Sequence, residues 1–183
     1  IPISGETGIM DIRDMVIENK FENIEEKGSM ETKEGILAES VQNEIKHWPV
    51  DQNSIKPFKI VIDAANAMGS LDVEEIFKGL PCEIVKLNFE LDGEFPEHQP
   101  EPMQEENMKI LQDAVIEHKA DLGIAPDGDG DRYFYVDEKG EIIRQEILRG
   151  LLAQDALKDH PNSTVAYDIR PGRITLDMIQ EAG

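Results

Sequence analysis

Residues 125–132 read APDGDGDR, so three aspartates at 127, 129 and 131 alternate with single glycines and lead directly into Arg132. Carboxylates this close repel one another strongly unless a cation sits among them. The pattern therefore reads first as a metal loop, with Asp127, Asp129 and Asp131 as ligands. All-oxygen ligation suits Mg²⁺ or Ca²⁺. Glycine at 128 and 130 is expected to take positive φ, which lets alternate side chains converge on one point. Arg132 is a permanent cation beside an acidic loop, and a phosphate shared between the metal and its guanidinium would give both a partner.

Two other readings of the loop compete. In a twelve-residue EF-hand count from Asp127, Asp129 and Asp131 take positions three and five and Glu138 takes twelve, but Arg132 stands where that loop requires glycine. Aspartate and glycine pairs also mark turns that bind nothing. Elsewhere, Glu94, Glu97 and His98 suggest a second metal site, although the prolines around them read as an extended surface loop. His47, His118 and His160 fall near helix ends, where a cation is favoured without any chemistry. Cys82 reads as a small buried apolar residue. Arg170 and Arg173 are placed where they could face a cleft, or serve helix entry.

The elements that must position this loop follow from hydrophobic period. FKIVIDA, CEIVKLNF and ADLGIA are short, β-branched stretches, and LDVEEIFKGL and NMKILQDAVIEHK between them have helical spacing. Alternating strands and helices predict a largely parallel sheet between helix layers. The loop then starts at the carboxyl end of a strand, where open α/β sheets carry ligands, and is expected at the sheet's edge. YFYVDEKGEII predicts two strands about a turn at residues 138–140, EILRGLLAQDAL a helix, STVAYDI a further strand and RPGRITLDMIQEAG a last helix. Before the sheet, GETGIMDIRDMVIENKF and residues 32–48 predict helices with one buried apolar face each. Pro49 and Pro57 bracket a polar connector.

Composition bounds the classes of function. With 183 residues, 39% of them hydrophobic, the chain can bury one good core. Its 39 acidic and 18 basic side chains give a net charge of −21, which repels nucleic acid and anionic lipid at long range. One cysteine excludes an intrachain disulfide and fits a reducing compartment. No apolar run reaches the ~18 residues of a membrane span. A cytoplasmic protein with neither nucleic-acid nor membrane partners is expected. The start at Ile1 and the stop at Gly183 after an amphipathic pattern suggest a piece of a longer chain.

DLGIAPDGDGDRYFYVDEKGEII resembles the metal-binding segment of the α-D-phosphohexomutases, the phosphomannomutase and phosphoglucomutase family. KPFKIVIDAANAMGS resembles the opening of that family's second domain, and LNFELDGEFPEHQPEPMQEENMKIL the segment after its second strand, so the likeness covers nearly the whole chain. Two positions depart from the family pattern: Pro126 replaces a bulky residue before the first aspartate, and Asn66 is followed by Ala67 instead of glycine. The resemblance implies a three-layer α/β domain over residues 29–141, the tail of a first domain over 1–28 and the start of a third over 142–183. It implies an enzyme that interconverts hexose 1-phosphate and hexose 6-phosphate, of mannose or glucose, through a phosphoserine and a bisphosphorylated sugar. Mg²⁺ would be held by Asp127, Asp129 and Asp131, and Arg132 would be the active-site arginine beside the phosphate. No TASHNP-like nucleophile loop occurs in these residues, so the chain alone is expected to be inactive. The alternative is a noncatalytic Mg²⁺ or Ca²⁺ module that keeps the acidic loop.

Overall fold

The computed structural model describes residues 3–23, 25–48, 50–170 and 172–183. Pro49, one of the two prolines bracketing the connector, lies outside them, as do Pro171 of the last predicted helix and Ile1, Pro2 and Ile24 of the expected first-domain tail. The chain divides into two compact units, Ile1–Glu34 and Gly35–Gly183.

In the first unit, helix α1 spans Met10–Ile17 and follows an irregular turn over Gly5–Ile9. Thr7 Oγ1 accepts the Ser4 N–H at 2.6 Å, and Gly8 takes φ +129°, a conformation that favours glycine. The face expected to be buried is open: Ile12 is 48% and Val16 58% exposed. The helix that the period predicts is present, but eight residues of helix carry no partner surface of their own.

In the second unit, α2 spans Ile36–Ile45 and packs on α3 through the buried Val41. Strand β1 spans Lys59–Asp63, α3 Gly69–Phe77, β2 Glu83–Leu87, α4 Lys109–His118, β3 Leu122–Pro126, β4 Tyr133–Asp137 and β5 Ile142–Ile143. The sheet order is β2-β1-β3-β4-β5; β1 runs parallel to β2 and β3, and β3-β4 and β4-β5 are antiparallel. Period-two alternation sorts the core onto two faces. Val61 and Ala125 join Met108, Leu111 and Val115 on the α4 side, whereas Ile60, Ile62 and Ile124 join Val73 and Phe77 on the α3 side. The expected three-layer domain, with its mixed, mostly parallel sheet, is therefore present. Gly123 lets α4 lie close on the sheet, since a Cβ there would lie 2.7 Å from Val115 Cγ2.

The turn over residues 138–140 is also present, with Gly140 at φ +78° and the Asp137 carboxylate accepting the N–H groups of Lys139 and Glu141. Helices α5 (Gln145–Asp159) and α6 (Gly172–Ala182) pack together where Gly150 meets Met178, and Gln154 Nε2 donates to the Met178 carbonyl at 3.0 Å. STVAYDI, expected as a strand, is not one. The five-stranded sheet does not include it, Ile169 is 97% exposed, and β-branched composition without a neighbouring ladder does not make a strand.

Candidate metal centre

Strand β3 is the middle strand of the sheet, so the acidic loop leaves from its centre at the carboxyl rim and not from a lateral edge. The loop is the hairpin connection between β3 and β4, and Asp127 fastens both ends of it. Its N–H donates to the Arg132 carbonyl at 3.0 Å, its carbonyl accepts from Gly130 at 3.1 Å, and its Oδ1 accepts the Arg132 N–H at 3.1 Å. Flanking strands in place of helices exclude the EF-hand reading.

Two devices bring the loop close to the start of α3. Gly130 takes φ +76°, as expected for the second glycine. Gly128 does not, and its role is clearance: a Cβ there would meet Pro100 Cγ at 3.3 Å. On the α3 side Gly69 lies against Pro126, so close that a Cβ would sit 2.5 Å from the proline ring, and the Met68 N–H donates to the Gly128 carbonyl at 3.3 Å. The departure at Pro126 is thus accommodated by Gly69. The departure at Ala67 needs no glycine, because the left-handed backbone of this turn falls on Ala65 (φ 48°) and Asn66 (φ 57°) and not on Ala67, and Asn66 Nδ2 donates to the Glu90 carbonyl at 2.8 Å.

The carboxylate oxygens offered by Asp127, Asp129 and Asp131 all lie within 4.8 Å of one another, and among the described residues this is the only cluster of three or more potential ligand side chains. Asp127 is 2% exposed, while Asp129 and Asp131 open to solvent. Asp127 Oδ2 is buried without a hydrogen bond of good geometry and makes an ion contact with Arg132 Nη2. Arg132 Nε also donates to Asp131 Oδ1 at 3.3 Å, and Nη1 reaches Met103 Sδ at 3.5 Å. Asp127, and behind it Asp131, hold the guanidinium further into its charged form. A clustered set of hard oxygens, one of them buried and lacking a regular donor, fits a small hard dication.

Arg132 also borders a groove of about 820 Å³ lined by Arg144, Arg149 and Arg170. Four of the chain's 18 basic side chains meet there with Glu105 and Glu146, so the groove is richer in cations than the chain as a whole, whose net charge is −21; Arg144 pairs with Glu146 and Arg170 with Asp168. Arg144 and Arg149 carry no signal in the sequence, because only the fold sets them beside Arg132. Arg173 does not line this groove; its Nε lies 3.6 Å from Asp177. Burial raises the pKa of Tyr133 on the groove wall, and the nearby Asp72 adds to the shift.

The remaining candidates separate. Glu94 and Glu97 do not join His98 in a cluster; the His98 ring lies against Asp63. His47 Nδ1 lies 2.8 Å from the Asn43 carbonyl near the end of α2, His118 closes α4 and His160 caps α5. Cys82 is half-buried beside the α3-side core.

The chain matches the family model described as phosphoglucomutase/phosphomannomutase, alpha/beta/alpha domain II, over residues 38–140. It is 36% identical over 187 aligned residues to a phosphomannomutase from Vibrio cholerae and 34% identical over 187 to one from Escherichia coli strain K12. A Xanthomonas campestris protein named phosphohexose mutases is 37% identical over 182. All of this chain is covered in each case, and 40%, 41% and 40% of the respective relatives. A Burkholderia thailandensis phosphoglucomutase/phosphomannomutase family structure superimposes with a TM-score of 0.79 at 29% identity, over 99% of this chain and 38% of that one. A Thermus thermophilus structure described as a phosphomannomutase shares the fold at TM-score 0.63 and 19% identity, over 88% of this chain and 36% of that one. The chain belongs to the phosphoglucomutase/phosphomannomutase family, and it spans about 40% of the length of the curated relatives it matches.

Proposed function

We propose that this chain is the metal-binding portion of a phosphohexomutase that interconverts hexose 1-phosphate and hexose 6-phosphate, of mannose or glucose, through a phosphoserine and a bisphosphorylated sugar. Residues 1–28 would end its first domain, 29–141 form its second and 142–183 open its third. The partner is the hexose phosphate, with no nucleic acid or membrane, and the compartment is the cytoplasm. Among the described residues no helix is long and apolar enough to cross a membrane.

One observation carries this reading: the three carboxylates and Arg132 converge at the carboxyl rim of the central strand, on the border of the arginine-lined groove. Asp127, Asp129 and Asp131 would hold Mg²⁺, which when bound supplies charge neutralisation to a transferring phosphoryl group. Asp127 is pinned by backbone groups at both ends of the hairpin, so the ligand set is shaped by the sheet. Arg132 presents N–H donors to the equatorial phosphate oxygens, and its planar fork suits them better than an ammonium does. Arg144, Arg149 and Arg170 attract and orient the anionic sugar phosphate. Phosphoryl transfer requires mostly such positioning and charge balance.

The test is Arg132→Lys in the full-length protein carrying this chain, assayed with mannose 1-phosphate and glucose 1-phosphate. The substitution keeps the charge and loses the fork, so kcat should fall by about tenfold or more while the Mg²⁺ requirement is unchanged. Undiminished kcat would remove Arg132 from the phosphate site.

A further inference from the structure

The wall of the candidate site is fastened from outside it. Asp63, the last residue of β1, is 1% exposed and fully engaged: Oδ1 accepts from the Ala65 N–H at 3.1 Å and from Asn88 Nδ2 at 2.9 Å, and Oδ2 lies 2.9 Å from His98 Nε2. The His98 side chain is itself 14% exposed, and its Nδ1 lies 3.0 Å from the Gln99 carbonyl, so both ring nitrogens face oxygen acceptors. Thirty-five residues of sequence separate the two partners.

Beyond His98 the chain runs on to the acidic loop. Gln99 O also accepts the Glu101 N–H at 2.8 Å, which folds the backbone tightly about Pro100. Pro100 packs against Gly128, the residue that separates Asp127 from Asp129 in the chain. Met103 Sδ meets the Arg132 guanidinium. The other end of the segment is tied to the same rim, because the Asp92 N–H donates to the Asn66 carbonyl at 3.0 Å.

We propose that His98 is a positioning residue: its ring clamps the 92–104 segment to the end of β1, and this holds Pro100 and Met103 in place against the DGDGD loop and Arg132. The inference rests on the metal-and-phosphate reading of that loop. A buried carboxylate without its partner is costly in itself, so the test must separate charge balance from positioning. His98→Ala removes the clamp and strands the Asp63 charge. His98→Gln keeps an N–H that can reach Asp63. The double variant His98→Ala with Asp63→Asn removes clamp and charge together.

Each variant is titrated with MgCl₂ by calorimetry on the 183-residue chain, melted thermally, and assayed for kcat and KM in the full-length protein. His98→Ala should weaken Mg²⁺ binding about tenfold, the size seen when groups behind metal ligands are lost, and lower the melting temperature. His98→Gln should recover most of both. The double variant should recover the melting temperature and not the Mg²⁺ affinity, with kcat low and KM for the sugar phosphate little changed. Recovery of the affinity in the double variant would overturn the proposal and leave only charge balance. So would a His98→Ala chain with unchanged affinity. If His98→Ala does not fold, the glutamine and double variants give the same comparison. Asp129→Asn serves as the control: if it leaves the titration unchanged, the metal reading fails; if it abolishes the titration and the His98 variants do not weaken it, the clamp alone fails.

Discussion

The DGDGD loop and the 163–170 segment each set an aspartate a few residues ahead of an arginine with which it pairs, but only the first is built into the sheet. Asp127 is held by backbone groups at both ends of a hairpin between two hydrogen-bonded strands, and is almost fully buried. Asp168 accepts from the Arg170 N–H at 2.9 Å and pairs with its guanidinium on a segment that joins no ladder, with both side chains largely open to water. The Arg170 side chain holds the Asp168 carboxyl below its usual range, as Asp127 holds Arg132 above its own. The same pair of residue types is thus a surface contact in one place and a shaped, partly desolvated constellation in the other. The difference lies in what fixes the backbone.

That contrast breaks most visibly at Asp129. Asparagine there removes one ligand charge and no core contact, so kcat of the full-length protein should fall by about a thousandfold, several kcal/mol of lost charge stabilisation, with the melting temperature unchanged. Near wild-type turnover at limiting Mg²⁺ would sink the ligand assignment. Next in size is Gly69→Ala, whose methyl would enter the Pro126 ring; overpacking here should cost about 2–3 kcal/mol in a denaturant melt and displace the loop. An unaltered midpoint would show that α3 can shift freely from the loop.

Smaller effects are expected outside the sheet. The backbone N–H at the start of α5, then Arg144, hold the Glu146 carboxyl below its usual range. A depressed folded pKa stabilises above the ordinary carboxylate value and is lost as pH falls through the folded one. Glu146→Gln should therefore melt slightly below wild type at neutral pH, by a few tenths of a kcal/mol after solvent screening, and the gap should close as pH falls below the ordinary glutamate range. A gap that widens in acid would reverse the assignment. Asp168→Asn should leave the melting temperature where it is, since both partners are exposed; a clear drop would mean that the 163–170 segment is more firmly built than its open pair indicates.

Local signals carry the sheet and the loop into view. β-Branched runs at 58–64, 82–89 and 120–125 have helical segments between them, so they pair and bury as read, and Asp127, Asp129 and Asp131 are consecutive enough that any hairpin brings them together. What depends on distant partners is not legible. STVAYDI has strand composition but no ladder, and α1 has a helical period but an open apolar face. A side chain at Gly128 would crowd Pro100, a contact that its own φ does not announce, and the Asp63–His98 contact joins residues whose spacing carries no signal. The arginines at 144 and 149 look like any surface cations until β4 and β5 turn them toward Arg132.

Calorimetric titration of the isolated chain with MgCl₂, beside the same titration of Asp129→Asn, tests the central claim most directly. Three carboxylates from one loop leave Mg²⁺ short of the about six oxygens it seeks, so weak, saturable binding is predicted for the wild type and none for the variant. Inorganic phosphate should tighten the wild-type titration through Arg132. Equal heats from both chains, or no saturable binding by either, would contradict the assignment of Asp127, Asp129 and Asp131 as a metal centre.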